Sequence, residues 1–247
     1  MDTNKVYGIN AIEEALNSST TIEKLFVLKG SNNERLNFLV QKVKTQGTSI
    51  SYTPIEKLNK LAKGGNHQGA VALISPITYH ELESLIENTL KTNKNPLFLL
   101  LDQISDVRNF GAIIRTAACT NVDGIIVQKK GGAPVNADAI KTSAGGIFKV
   151  PICKVDHIKD AIYYLQSSDI TVLAATEKTE TLLYDKDLTK GIAFIMGSEG
   201  RGINPSVLKI VDDTIKIPIS EKMDSLNVSV ASAILLYEAT RQRMMKN

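Results

Sequence analysis

In the first third of the chain, apolar positions alternate between helical and strand spacing. Leu36, Leu39, Val40 and Val43 recur at i, i+3, i+4 and i+7, the face of an amphipathic helix, and Gly47 closes it. Asn10 with Glu13 reads as an earlier helix start, and Lys24–Lys29 (KLFVLK) as a strand. Thr53-Pro54-Ile55-Glu56 combines a capping box with proline at the first helical position, which predicts a helix carrying Ile55, Leu58 and Leu61. The run Gly64-Gly65-Asn66-His67-Gln68-Gly69 then breaks the pattern before the short strand AVALIS. These elements predict a small α/β domain over residues 1–76, near the lower size limit for independent folding. Residues 77–95 read as a linker helix, capped by Thr78 and Glu81, with Leu82, Leu85, Ile86 and Leu90 on one face.

From Pro96 onward the alternation becomes regular. Strands are expected at Leu97–Leu101, Gly124–Val127, Lys149–Val155, Ile170–Ala175, Ile192–Met196 and Thr214–Ile217, with helices at Asp156–Leu165 and Leu226–Arg243 among those between them. Most of the strands are continuous apolar runs, the mark of a mostly parallel sheet covered by helices on both faces. Residues 96–247 therefore form the second domain. In such sheets ligands bind where strands end at their carboxyl side, so the strand-end loops are the places to look for chemistry.

Composition narrows the class without naming it. Hydrophobic residues make up 43% and charged residues 22%, the balance of an ordinary globular protein. No apolar run approaches the ~18 residues that would span a bilayer. MDTNKVYG has neither a basic nor an apolar leader region, so no secretory signal is expected. Cys119 and Cys153 form no CxxC and predict neither a disulfide framework nor a metal site; a reducing cytosol is the expected setting. The net charge of +3 is unremarkable, but its distribution is not even: residues 1–79 hold nine Lys/Arg against six Asp/Glu, and the remainder is balanced. A mildly basic N-terminal unit suits an acidic partner such as RNA, and equally a solvated surface with no partner.

Three strand-end segments carry candidate chemistry. The first, Asp102 to Arg115 (DQISDVRNFGAIIR), places Asn109 and Arg115 on a helix entered from a strand. Arg115 lies among Ile113, Ile114, Ala117 and Ala118, which predicts a partly buried guanidinium with an anionic partner. The second, Gly197-Ser198-Glu199-Gly200-Arg201-Gly202, follows an apolar strand; its glycines allow close backbone approach, but neither common phosphate-binding fingerprint is present. Glu199 suits a cation or a donor group. The third leads from Ile217-Pro218-Ile219 into Ser225-Leu226-Asn227-Val228-Ser229, the start of a nearly all-apolar helix. Such a helix is expected to be buried in a core or a dimer interface, with Asn227 a buried amide in need of partners.

Together, NFGAIIRTA, FIMGSEGRGI and IPISEKMDSLNVSVA resemble the three signature motifs of the SpoU (TrmH-type) ribose 2′-O-methyltransferases, in order and near the C-terminus. YGINAIEEAL and NHQG resemble the extra N-terminal domain of the RlmB-like branch, so the resemblance covers essentially the whole chain. One departure is the run Asp106-Val107-Arg108-Asn109, where the family often has Asp-Pro before its Asn.

The resemblance implies S-adenosylmethionine as donor, held in a deep trefoil knot of the C-terminal loops. It places Gly197, Ile217, Leu226 and Thr176 at the donor, and Asn109, Arg115, Glu199, Ser225 and Asn227 at catalytic positions. It further implies a homodimer, no metal, and an N-terminal domain of ribosomal-protein type that recruits RNA. His67 and Gln68 would there either touch RNA or close the domain with a turn. The best substrate guess is a guanosine of large-subunit ribosomal RNA; transfer RNA and a non-catalytic RNA-binding or assembly role are the alternatives.

Overall fold

The computed structural model describes residues 4–18 and 20–246, so the first three residues of the stretch read for a leader lie outside it. Contacts divide the chain into two compact units: the first ends at Thr78 and takes in Pro134–Ala137, and the second comprises Tyr79–Ala133 and the residues from Asp138 on.

The first unit is a four-stranded sheet in the order β1-β4-β2-β3. Its elements are β1 (Lys5–Tyr7), α1 (Ile9–Asn17), β2 (Ile22–Leu28), α2 (Glu34–Thr45), β3 (Ser49–Thr53), α3 (Ile55–Leu61) and β4 (Ala70–Ile74). Only β2 and β3 run parallel. Helices α1 and α2 bury Ile12, Leu36, Leu39 and Val43 against Leu25 and Val27, while α3 packs Leu58 and Ala62 on Phe26 and Val71.

Two expected capping boxes do not form in this unit, and the Thr78–Glu81 cap fails as well, since the helix from Leu82 has Glu81 at its capping position and no side-chain cap. The first residue of α1 is Ile9, whose N–H is taken by Gln68 Oε1 at 2.9 Å, while Asn10 and Glu13 accept hydrogen bonds from Arg35 instead. At α3 the capping position falls on Pro54, and the Thr53 hydroxyl is buried with no partner among the described residues. His67 is buried, with Nδ1 accepting from Gly69 N and Nε2 against Asn59 Oδ1, both at 3.0 Å. His67 and Gln68 thus close this unit from within.

The second unit is a six-stranded, wholly parallel sheet in the order β10-β8-β9-β5-β6-β7. Its strands are β5 (Leu97–Asp102), β6 (Gly124–Gln128), β7 (Ile152–Val155), β8 (Thr171–Ala175), β9 (Ile192–Gly197) and β10 (Asp213–Ile215). The helices are α4 (Leu82–Thr92), α5 (Val107–Cys119), α6 (Ala137–Thr142), α7 (Ile158–Ser167), α8 (Pro205–Leu208) and α9 (Val228–Lys246). Helix α4, expected as a linker, places Leu82, Leu85 and Ile86 in the core with Phe98, Ile126 and Ile162. The strand expected from Lys149 begins only at Ile152, because a 3₁₀ turn at Gly146–Phe148 and Pro151 precede it. From β5 the sheet grows through β6 to β7, and the chain then returns to build β8, β9 and β10 on the other side. The reversal of direction lies between β5 and β9, and Asp102 and Gly197 end those strands side by side.

Helix α9 is not buried all round. Leu235, Leu236 and Ala239 face inward, whereas Val230, Tyr237 and Met244 are 49%, 56% and 73% exposed at heptad spacing. Its far end is pinned where Arg243 donates to the carbonyls of Leu188, Lys190 and Pro96 at 3.0, 2.7 and 3.2 Å.

The two cysteines differ in environment. Cys119 is exposed; Cys153 is buried, and burial, aided by the nearby Glu81 and Glu83 carboxylates, pushes its thiol up to about 12. A thiol reagent at pH 8 should therefore modify one cysteine, Cys119, in the native protein and both after denaturation, as mass spectrometry of the adducts will show.

Candidate active site

The loops leaving β8, β9 and β10 meet around a cavity of about 530 Å³. Thr176, Gly197, Ile217 and Leu226 all line it, and so do Glu199, Ser225 and Asn227. Glu177, Lys178, Arg201 and Asp224 line it as well. The first two follow β8 directly, so a strand-end reading of β8 would have found them.

The turn after β9 is built by its own glycines. Ser198 and Gly202 exchange backbone hydrogen bonds at 3.2 and 2.8 Å, which folds the chain back on Gly197. A Cβ on Gly197 would stand 2.1 Å from Gly202 C and 2.2 Å from Ile203 N, so no other residue fits. Gly197 therefore serves the approach of the chain to itself while also lining the cavity. Gly200 and Gly202 hold φ of 85° and 67°, the left-handed region. The turn's foot is fixed where Asp102, 2% exposed, accepts from Asn204 N at 2.9 Å. Gly111 serves packing in the same way, since a Cβ there would lie 2.7 Å from Thr142 Cβ on α6.

At the rim of the cavity three polar side chains converge from the three motifs. Glu199 Oε1 accepts from Asn109 Nδ2 at 3.0 Å and from Asn227 Nδ2 at 2.8 Å, and Asn227 Nδ2 also lies 3.0 Å from Asn109 Oδ1. Both amides are oriented by helix caps. Asp106 caps α5 by accepting from Asn109 N at 2.8 Å, and Asn227 Oδ1 caps α9 by accepting from Ser229 N at 2.9 Å and Ser229 Oγ at 2.6 Å. One carboxylate oxygen is thus held by two N–H donors, and Oε2 makes no hydrogen bond with any described residue.

Two expectations are corrected here. Asn227 is exposed, because only one side of α9 packs inward and its first turn opens on the cavity. Asn227→Ala should therefore cost the α9 cap, about 1 kcal/mol, and lower Tm by about 2–4 °C. With Glu199 losing one of two donors, the activity of the site should fall at least tenfold. Calorimetric melting beside single-turnover assays checks both parts.

Arg115 is also exposed, and it makes no hydrogen bond or ion pair with any described residue. Six residues along α5 from Asn109, it lies on a different face of the helix and does not line the cavity. Ile113, Ile114 and Ala117 supply the buried face that its neighbours suggested. Arg108, one heptad earlier on the outer face of α5, is likewise exposed and has no partner among the described residues. Ser225 is exposed at the cavity, and its side chain makes no hydrogen bond with any described residue.

Known proteins match this architecture along its length. The profile of the SpoU rRNA methylase family fits residues 96–237, and that of the RNA 2′-O ribose methyltransferase substrate-binding domain fits residues 5–80. The 23S rRNA (guanosine-2′-O-)-methyltransferase RlmB of Vibrio vulnificus is 33% identical over 245 residues, 99% of each chain. The TrmH family protein YacO of Bacillus subtilis is 32% identical over 238 residues, 96% of this chain and 95% of that one. Among solved structures, the SpoU methyltransferase AviRb of Streptomyces viridochromogenes, in complex with AdoMet, superposes with a TM-score of 0.62 at 21% identity, covering 98% of this chain and 90% of that one. The TrmH/SpoU tRNA modifying enzyme of A. aeolicus does so at 0.57 and 32% identity, covering 67% and 83%. With both profiles matched in order and the relatives aligned end to end, the chain belongs to the SpoU family of RNA 2′-O-ribose methyltransferases.

Proposed function

We propose that this protein transfers the methyl group of S-adenosylmethionine to the ribose 2′-hydroxyl of a guanosine in 23S ribosomal RNA. The observation that carries the reading is the Asn109–Glu199–Asn227 cluster at the rim of a cavity of about 530 Å³. Full-length likeness to RlmB proteins named for that reaction supports the choice of RNA and nucleoside.

The residues present fit the donor. The cavity falls within the ~300–1,000 Å³ usual for small-ligand sites. Ile217 and Leu226 offer apolar surface and backbone groups, and Thr176 and Ser225 offer hydroxyls. When bound, S-adenosylmethionine supplies an electrophilic methyl group.

The protein's task is to hold the ribose oxygen in line and to relieve it of its proton. Glu199 is placed for the second part: the two amides fix Oε1, which leaves Oε2 to accept a hydrogen bond from the hydroxyl. Arg115 presents a guanidinium, which donates hydrogen bonds and accepts none, so it serves as a cation. With no partner among the described residues, its guanidinium is available to an RNA phosphate and to charge developing on the attacking oxygen.

The remaining expectations belong to the same proposal. The outward stripe Val230, Tyr237 and Met244 on α9 suits a homodimer face. The C-terminal knot is supported by the strand order: β9 sits inside the sheet, β10 forms an edge beyond β8, and α9 then packs back on α5.

Transfer of labelled methyl groups to total RNA, followed by mapping of the modified nucleotide, tests the reading. Label on a ribose of a 23S guanosine is the expected result. Label on a base, or confined to tRNA, would refute it.

A further inference from the structure

A second cavity, of about 370 Å³, borders the same glycine turn, with Asn204 in its wall. It lies at the carboxyl ends of β5 and β6 and against the start of α7, where Asp102, Gln103, Gln128, Lys159 and Tyr163 line it. Three of its side chains keep polar atoms that the fold leaves unused. The Gln128 amide makes no hydrogen bond with any described residue, and its Oε1 is shut off from solvent. The Gln103 amide is equally unpartnered, and its backbone is held at a φ of 60°, which side chains rarely adopt. Asp102, almost wholly buried, spends Oδ2 on Asn204 N and has no partner among the described residues for its other oxygen. A buried acceptor without a partner, Gln128 Oε1, beside polar groups open to the cavity at the sheet's reversal point requires an explanation.

We propose that this cavity is a base subsite for the RNA substrate and that it takes a guanine. The inference rests on the RNA-methylation reading. A carboxylate only accepts, and guanine offers adjacent donors, its ring N1–H and its 2-amino group; adenine sets a bare ring nitrogen beside its amino group. A half-turn of either glutamine amide exchanges oxygen for N–H without change of shape, so Gln103 and Gln128 can complete the pattern around the base edge. Tyr163, 54% exposed, offers a ring face for stacking, and Lys159 a charge for a phosphate. Because Asp102 also anchors the turn that carries Glu199, a seated base bears on the same turn as the reacting group.

The test uses the full chain with S-adenosylmethionine saturating and a 23S rRNA transcript as methyl acceptor. Guanosine 5′-monophosphate should compete with RNA at least tenfold more strongly than inosine 5′-monophosphate, which lacks the 2-amino group. Gln128→Leu should erase that difference and raise KM for RNA several-fold with donor affinity unchanged. Equal inhibition by the two nucleotides, or wild-type KM and selectivity in Gln128→Leu, overturns the subsite. Side-chain amide resonances of the ¹⁵N-labelled wild-type protein separate the two readings. Shifts of Gln103 and Gln128 on addition of guanosine 5′-monophosphate without any RNA methylation would sink the proposed function and leave the subsite standing. Methylation with both amides unmoved would sink the subsite alone.

Discussion

Arg115→Ala should lower single-turnover methyl transfer by about 10²–10³, some 3–4 kcal/mol, the loss typical of removing one preorganised charge-stabilising group. The fold should not notice. The side chain is exposed, makes no hydrogen bond or ion pair with any described residue, and lies outside the cavity wall. Tm should stay within about a degree, as for surface changes that disturb no packing. Donor affinity, measured by calorimetry, should stay within a few-fold. A comparable loss of donor binding would make Arg115 part of the cavity after all. Arg115→Lys sharpens the test, because lysine keeps the charge and gives up the planar, forked donor. A pH–rate profile superposing on that of the native enzyme at equal rate would show that charge alone suffices.

What the sequence disclosed and what it withheld divide along physical lines. Continuous apolar runs placed all six strands of the large sheet to within a few residues, since a strand covered on both faces leaves a one-dimensional signal. Helix caps were less legible. Asn10/Glu13 and Thr53/Glu56 both fit the capping-box spacing, yet Arg35 engages the first pair and Gln68 supplies the α1 cap from 59 residues away. The same limit governs the site. Asn109, Glu199 and Asn227 each stood out within a motif, but their sharing of one carboxylate oxygen spans as many as 118 residues and exists only once the three loops meet. Burial was misread at Arg115 and Asn227 for a common reason: apolar neighbours along a helix occupy its inner face, and a polar residue between them points outward. Gly197 shows the converse. Its presence was legible, but the backbone it makes room for belongs to Gly202 and Ile203.

Removing residues 1–78 should separate recruitment from chemistry. The cavity, the Asn109–Glu199–Asn227 cluster and the stripe on α9 all belong to the second unit, which has its own sheet and core. The truncated protein should therefore bind S-adenosylmethionine with affinity within a few-fold of the intact chain. RNA binding should weaken sharply, because the excess of Lys/Arg over Asp/Glu lies in the first 79 residues and the remainder is balanced. Lys24 and Lys57 make the point locally: each ammonium stands 5.3 Å from the centre of the Phe26 ring, so two cations are held against one face of the small sheet. Every RNA phosphate that the shortened protein no longer neutralises should reduce the slope of log K against log salt by about 0.7–0.9. Arg108 and Arg115 keep their unpartnered guanidiniums on α5, so a residual, salt-sensitive affinity should persist. Filter binding at several salt concentrations, run on both forms, measures affinity and slope together. If the truncated protein bound and methylated RNA as well as the intact one, recruitment would lie in the catalytic unit, and the charge excess of the first 79 residues would be solvated surface only.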